Sequence, residues 1–352
     1  MSNNKQFAGY ALSDYANAYP ERTTINNHRY EKVTGKEGLH CWKKYKSYWE
    51  QGSVDMSLPY NFYQGCAVVY KDEIYILGGS YNAYTKGYCY KFTIGGGGSW
   101  TSVTSLPMAF YEGCAVVYND KIYILGSKDS TYSKLFCAFN GTSWSSGGVP
   151  YEFYDGCAVV YRDEIHILGC NVNNSTCQNH YKYNGSSWTS VSTLPYKFGN
   201  GNAVVYDDCI YIVGTAWDSS GGPLYKWNGI SWTRVAAQPY PSCTHGSAVV
   251  IDDCIHVLGS NSTTYMKNHY FYTENGWTKD YDCPFEFFDG SVVLLGGEGL
   301  CFLGSYASSS TYTKIDINGY TISQDKSYLV DDQPNKYPGV GYIDGYHYRK
   351  IE

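Results

Sequence analysis

An all-β fold, a β-propeller of four-stranded blades, is predicted for this 352-residue chain by three observations. The stretch Gly65-Cys-Ala-Val-Val-Tyr-Lys-Asp-Glu-Ile-Tyr-Ile-Leu-Gly-Gly79 returns almost unchanged from Gly113 to Gly126 and from Gly156 to Gly169. Looser copies start at Gly201, Gly246 and Gly290. A proline precedes each copy (Pro59, Pro107, Pro150, Pro195, Pro239 and Pro284), at steps of 48, 43, 45, 44 and 45 residues. A tryptophan stands six or seven residues before the last five of those prolines, at Trp100, Trp144, Trp188, Trp232 and Trp277. A period in the forties with short apolar runs is the pattern of one blade per repeat.

Each element of the blade follows from the repeat. Ala-Val-Val-Tyr and Ile-Tyr-Ile-Leu are short β-branched runs joined by two polar residues such as Lys71-Asp72 or Asn119-Asp120, which predicts a hairpin. The runs are apolar throughout instead of alternating, as strands covered on both faces require. One or two glycines end the second strand, and a variable polar loop follows. The third strand is then predicted at runs such as Tyr88–Phe92 and Tyr181–Tyr183. Asn140-Gly141 and Asn184-Gly185 make a tight turn into a fourth strand that opens on tryptophan, because both residues tolerate positive φ.

The chain ends offer further strand-like segments. Residues 338–351 read as another first hairpin, turned at Asp344-Gly345, and His28–Val33 with Leu39–Tyr45 can supply a third and fourth strand. Seven blades, the last built from both ends, are therefore favoured over six, since joining the ends removes exposed sheet edges. Residues 1–27 lack strand periodicity and are expected to form an extension or attachment arm, with the propeller over 28–352.

Composition excludes several functions. The net charge is -6 and no lysine or arginine run is present, so a nucleic-acid groove is not expected. The longest apolar runs are about five residues against the roughly 20 needed to span a bilayer, so no membrane insertion is expected. The first residues lack the apolar core of a secretory signal, and the chain is read as soluble and made in the cytoplasm. The 13 cysteines follow the repeat, with Cys66, Cys114 and Cys157 in one register, and are expected to be reduced thiols. No C-x-x-C pair or His pair at i, i+4 occurs, so neither a metal nor another cofactor is expected.

Candidate binding residues come from what varies between copies. In a propeller the loops leading into strand one and those joining strands two and three gather on one face. The lead-in loops are aromatic. Phe62, Phe110, Phe153, Phe198 and Phe287 hold one register almost without variation, which predicts packing between blades. The next register, Tyr63, Tyr111, Tyr154 and Phe288, is less uniform and offers ligand candidates as well as packing residues. The residue before each repeat glycine is polar in all six copies and rarely repeated: Gln64, Glu112, Asp155, Asn200, His245 and Asp289. These are expected to ring the channel mouth, either to bind a ligand or to hydrogen-bond loop amides. Trp217, in the loop after strand two of the fourth copy, has no counterpart elsewhere and is the leading candidate for an exposed recognition aromatic. Glu112, Asp155 and Asp289 could also act as acid and base in a glycosidase-like site. No nucleophile elbow or phosphate loop supports catalysis, and none is expected.

The order of glycine doublet, aromatics leading strand three and tryptophan leading strand four resembles the Kelch repeat family over residues 59–330. Single glycines at Gly126-Ser127, Gly169-Cys170 and Gly214-Thr215 depart from the family's doublet. With the segment Gly38-Leu-His-Cys-Trp-Lys-Lys-Tyr45, the chain is similar to Kelch-like proteins of Firmicutes and their phages. That resemblance implies a non-catalytic recognition propeller in a phage or prophage tail. It would bind a host surface glycan or protein and touch other tail proteins through its N-terminal segment. An intracellular protein-interaction scaffold is the alternative, and a carbohydrate-active enzyme the third reading.

Overall fold

A computed structural model describes residues 58–79, 87–93, 99–129, 133–170, 178–214, 222–240, 243–251, 254–273, 276–280, 282–283, 285–295 and 299–305. Outside this range it describes the strands formed by the chain ends. The described elements are all β-strands and turns, and no helix among them is long and apolar enough to cross a membrane. Chain contacts gather into two compact units, 51–320 and 1–50 with 321–352.

The larger unit is the propeller. The first blade runs Cys66–Tyr70, Glu73–Leu77, Cys89–Thr93 and Thr101–Ser102, each strand antiparallel to the next. Four further blades repeat this plan, beginning at Cys114, Cys157, Asn202 and Ser247. The sixth repeat contributes the hairpin Ser291–Leu295 with Gly299–Leu303. The strand Glu50–Asp55, ahead of the first repeat, pairs with Asn318–Thr321, beyond the sixth hairpin.

The core lies between blades, which explains why the strands carry no polar face. Val68 and Tyr70 of blade one pack with Ile122, Ile124 and Phe139 of blade two, and the same contact recurs between blades three and four. The phenylalanine register does what its invariance predicts. Phe62, Phe110, Phe153, Phe198 and Phe287 are at most 2 % exposed. A Cβ on Gly78, Gly126, Gly169 or Gly259 would collide with the carbonyl of the phenylalanine in the following blade. These glycines sit at positive φ, so both backbone shape and close approach demand them. In blade five Cys243 takes the phenylalanine's place against Gly214.

The same contact closes the ring. Gly304 of the sixth repeat lies under the Phe62 carbonyl of the first, and Ser291 Oγ donates to the Gly65 carbonyl at 3.2 Å. Five four-stranded blades and a sixth hairpin thus complete the circle, and the seven-blade expectation is corrected. The end segments pair with each other instead, in a sheet of the smaller unit ordered Arg22–Ile25, His28–Thr34, Arg349–Ile351, His40–Tyr45. Tyr342–Ile343 and Tyr346–His347 form the hairpin expected around residues 344–345.

On the face away from the lead-in loops, the strand-one hairpins turn on two residues of positive φ, such as Lys71 (52°) and Asp72 (57°). This is the type I′ geometry that matches strand twist. Tyr70, Tyr118 and Tyr161 hydroxyls donate to the carbonyls of Asp120, Asp163 and Asp208 in the next blade, at 2.9 to 3.0 Å. Asn140, Asn184 and Asn228 cap the second set of turns, each Oδ1 accepting the N–H groups two and three residues on.

Candidate functional site: the channel mouth

The six polar residues ahead of the repeat glycines do form a ring. Each has φ between 51° and 58°, the left-handed region. Each N–H donates to the carbonyl of its counterpart in the preceding blade: Glu112 to Gln64, Asp155 to Glu112, Asn200 to Asp155, His245 to Asn200, Asp289 to His245, and Gln64 to Asp289. The six bonds measure 2.6 to 2.9 Å and run in one rotational sense around the mouth. This geometry accounts for part of the polar character, because aspartate and asparagine tolerate the left-handed region better than apolar residues. Asp155, Asn200 and Asp289 fit that account, and so does His245, since histidine is likewise enriched at positive φ. Gln64 and Glu112 gain less from it, so their identities call for a further reason.

Side-chain contacts supply one. Gln64 Nε2 donates to Glu112 Oε1 at 2.5 Å, and Lys128 Nζ reaches the other Glu112 oxygen at 2.6 Å. The Glu112 side chain is only 7 % exposed, whereas Lys128 is 44 % exposed and lies 6.0 Å from the Tyr154 ring centre. Burial draws the Lys128 ammonium down, but its bond to Glu112 and the charges of Glu112 and Asp155 outweigh this and hold it above the usual lysine range. Across the mouth His245 Nδ1 meets Asp289 Oδ1 at 2.7 Å. Burial lowers the His245 pKa, yet Asp289, with Asp155 and Glu112 behind it, leaves it raised. The mouth therefore sets Glu112, Asp155 and Asp289 beside Lys128 and a histidine whose aspartate partner favours its charged form.

The aromatic candidates divide. Tyr63 and Phe288 are buried, at 2 % and 6 %, while Tyr111 and Tyr154 remain half-buried. The single-glycine repeats also find their reason here. Gly79 sits where a Cβ would press on the Tyr63 carbonyl and the Gly65 amide. In blade two Ser127 fills the equivalent place, its hydroxyl donating to the Ala109 carbonyl at 3.2 Å and accepting from the Tyr111 N–H at 3.3 Å. Ser305 repeats that pattern with Glu286 and Phe288. Trp217 and most of the loops joining strands two and three lie outside the described residues.

The acid–base reading of the ring carboxylates meets an obstacle. Glu112 is held by Gln64 and Lys128, and Asp289 by His245, so two of the three are already engaged in ion pairs. Lys128 stands in the variable loop after strand two, 16 positions beyond Glu112, and nothing in the sequence spacing pairs it with that carboxylate. A second grouping lies away from the mouth: buried His256 and His269, with Nδ1 and Nε2 2.8 Å apart, and Asp280 3.9 Å from His269 Nδ1. Two imidazole nitrogens on one tetrahedral zinc stand about 3.3 Å apart at the usual bond length of roughly 2.0 Å. The observed spacing is that of a hydrogen bond, so this trio reads as a proton-linked pair with a carboxylate behind it.

No protein-family model matches the chain, and no curated protein matches it in sequence. Among solved structures the fold is similar to that of YjhT, with a TM-score of 0.59 and 13 % sequence identity. The match covers 80 % of this chain and 97 % of that one. At this identity the likeness shows a shared propeller fold and carries nothing about ligands.

Proposed function

We propose that this protein is a non-catalytic recognition propeller, part of a phage or prophage tail, that holds a bacterial surface glycan or protein at its channel mouth. The observation that carries the reading is the ring itself. Six equivalent backbone positions are fixed by main-chain bonds, yet their side chains are nearly all different. Packing would favour one residue type, as it does at the phenylalanine register, where five of the six copies agree. A fixed frame with varied polar groups and half-buried tyrosines is the composition of a binding surface. Three carboxylates against Lys128 and His245 disfavour a polyanion, so a neutral or amine-bearing sugar suits the mouth better.

The test is a glycan-array and host-cell binding assay of the wild type beside Asp155→Ala, Trp217→Ala and, on the opposite face, Asp72→Ala. Saturable binding lost in Asp155→Ala or Trp217→Ala but kept in Asp72→Ala supports the reading. Absence of binding to cells and glycans alike would sink it and turn attention to a protein partner of an interaction scaffold.

A further inference from the structure

Two blades of this propeller carry a device the others lack. The second-strand position is tyrosine in blades one, two and four (Tyr75, Tyr123, Tyr211) and histidine in blades three and five (His166, His256). The histidines never come alone. Where strand two has one, strand three has another in contact with it: His166 Nδ1 to His180 Nε2 at 2.8 Å, and His256 Nδ1 to His269 Nε2 at 2.8 Å. In blades one and two the strand-three place holds Cys89 or Phe136. All four imidazoles are at most 3 % exposed. A spacing of 2.8 Å between ring nitrogens means that one carries the proton and the other its lone pair, so the two rings of a pair cannot both be fully protonated without losing the contact.

The pairs differ in what stands behind them. The residue whose N–H donates to the backbone carbonyl of the strand-three histidine is Asp280 in blade five and Val191 in blade three. Asp280 thereby stands 3.9 Å from His269 Nδ1 and offers a counter-charge. The blade-three pair has none of its own. Facing it are Tyr161, with ring centre 5.5 Å from His166, and Glu164 and Lys182 of the same sheet, which engage each other at 2.8 Å. From blade four come Trp227 and Trp232, 5.5 and 5.7 Å from His180. Indole rings supply no compensating anion. Burial draws His166 down to about 4, and draws His180 to about 3 with help from His166 and Lys182.

We infer that blade three is an acid-sensitive seam: protonation of the His166–His180 pair opens its contact with blade four, while blade five, guarded by Asp280, stays closed. The unfolded or opened chain binds protons below about pH 6.5, and the closed pair resists them until about pH 4. The seam is therefore fully closed above pH 6.5, and opening grows progressively as the pH falls from there towards 4.

The test is hydrogen exchange by mass spectrometry on the full chain between pH 7 and 4, with rates normalised to the intrinsic amide rate at each pH. Strands Glu164–Leu168 and His180–Tyr183 are expected to lose at least tenfold protection before Cys254–Leu258 and His269–Thr273 change. The double variant His166→Tyr with His180→Cys, which copies blade one, should erase that difference. Val191→Asp, which gives blade three the residue of blade five, should move the onset to lower pH and keeps the test open if the double variant fails to fold. Blades three and five losing protection together, or an onset unmoved by both variants, would overturn the inference.

Discussion

Closure of the ring at six joins the sixth repeat to the first through several contacts, and replacing Gly304 by alanine tests the tightest of them. Gly304 has φ of 69° and lies against the Phe62 carbonyl, where an added Cβ would overlap the oxygen. A side chain in the left-handed region costs about 1–2 kcal/mol, and forcing an extra methyl into a packed contact adds roughly 1–3 kcal/mol. Together these predict a loss of about 2–5 kcal/mol. Two companions separate the terms. Gly126→Ala meets the same overlap with Phe153 inside the ring, whereas Gly141→Ala, at φ 98°, has only the Tyr70 hydroxyl oxygen at 4.0 Å. The readout is urea unfolding followed by tryptophan fluorescence, with the slope checked for constancy. Gly304→Ala should match Gly126→Ala and exceed Gly141→Ala by about 1–3 kcal/mol. If Gly304→Ala instead matches Gly141→Ala while Gly126→Ala is far worse, the sixth repeat does not seat on the first and the closure argument fails.

Other outcomes follow from the same geometry. Phe153→Ala empties a fully buried site between blades and should cost about 3–5 kcal/mol in chemical denaturation; a loss under about 1 kcal/mol would contradict its place in the core. Asp72→Gly relieves an exposed residue at φ 57° in a type I′ turn and should raise stability by roughly 0.5–1 kcal/mol, visible as a higher Tm; an unchanged or lower Tm speaks against the turn assignment. The His245–Asp289 pair raises the folded pKa of His245 above its unfolded value. Its contribution is thus complete below about pH 6.5 and disappears as the pH climbs through the folded value. Histidine resonances followed by NMR should show His245 titrating above the free imidazole range, and Asp289→Asn should bring it down.

Much of this fold is legible in the sequence because every blade solves the same packing problem with the same residues. Repetition of Ile-Tyr-Ile-Leu announces strands covered on both faces, and repetition of one phenylalanine announces a contact each blade makes with its neighbour. Blade number is not legible in that way. It depends on which segment meets Gly304 after a full turn, and residues 28–45 and 338–351 carry strand patterns that suit a seventh blade as well as a separate sheet. The ring residues were visible as polar and variable, but nothing local reveals their left-handed backbone. The histidine pairs were readable in principle, since His166 arrives with His180 and His256 with His269. Taken singly each is only a substitution for tyrosine, cysteine or phenylalanine, and contact across strands gives the pair its meaning.

The circle of six backbone hydrogen bonds at the mouth has a consequence for how such a protein changes over generations. Fastening there is entrusted to the polypeptide itself, so beyond the left-handed backbone's preference for short polar residues, side-chain identity is not what holds the circle. Near-duplicate repeats can then drift apart one letter at a time at these places, each variant presenting a new surface on an old frame. Selection acting on what the mouth touches need not renegotiate the architecture that carries it.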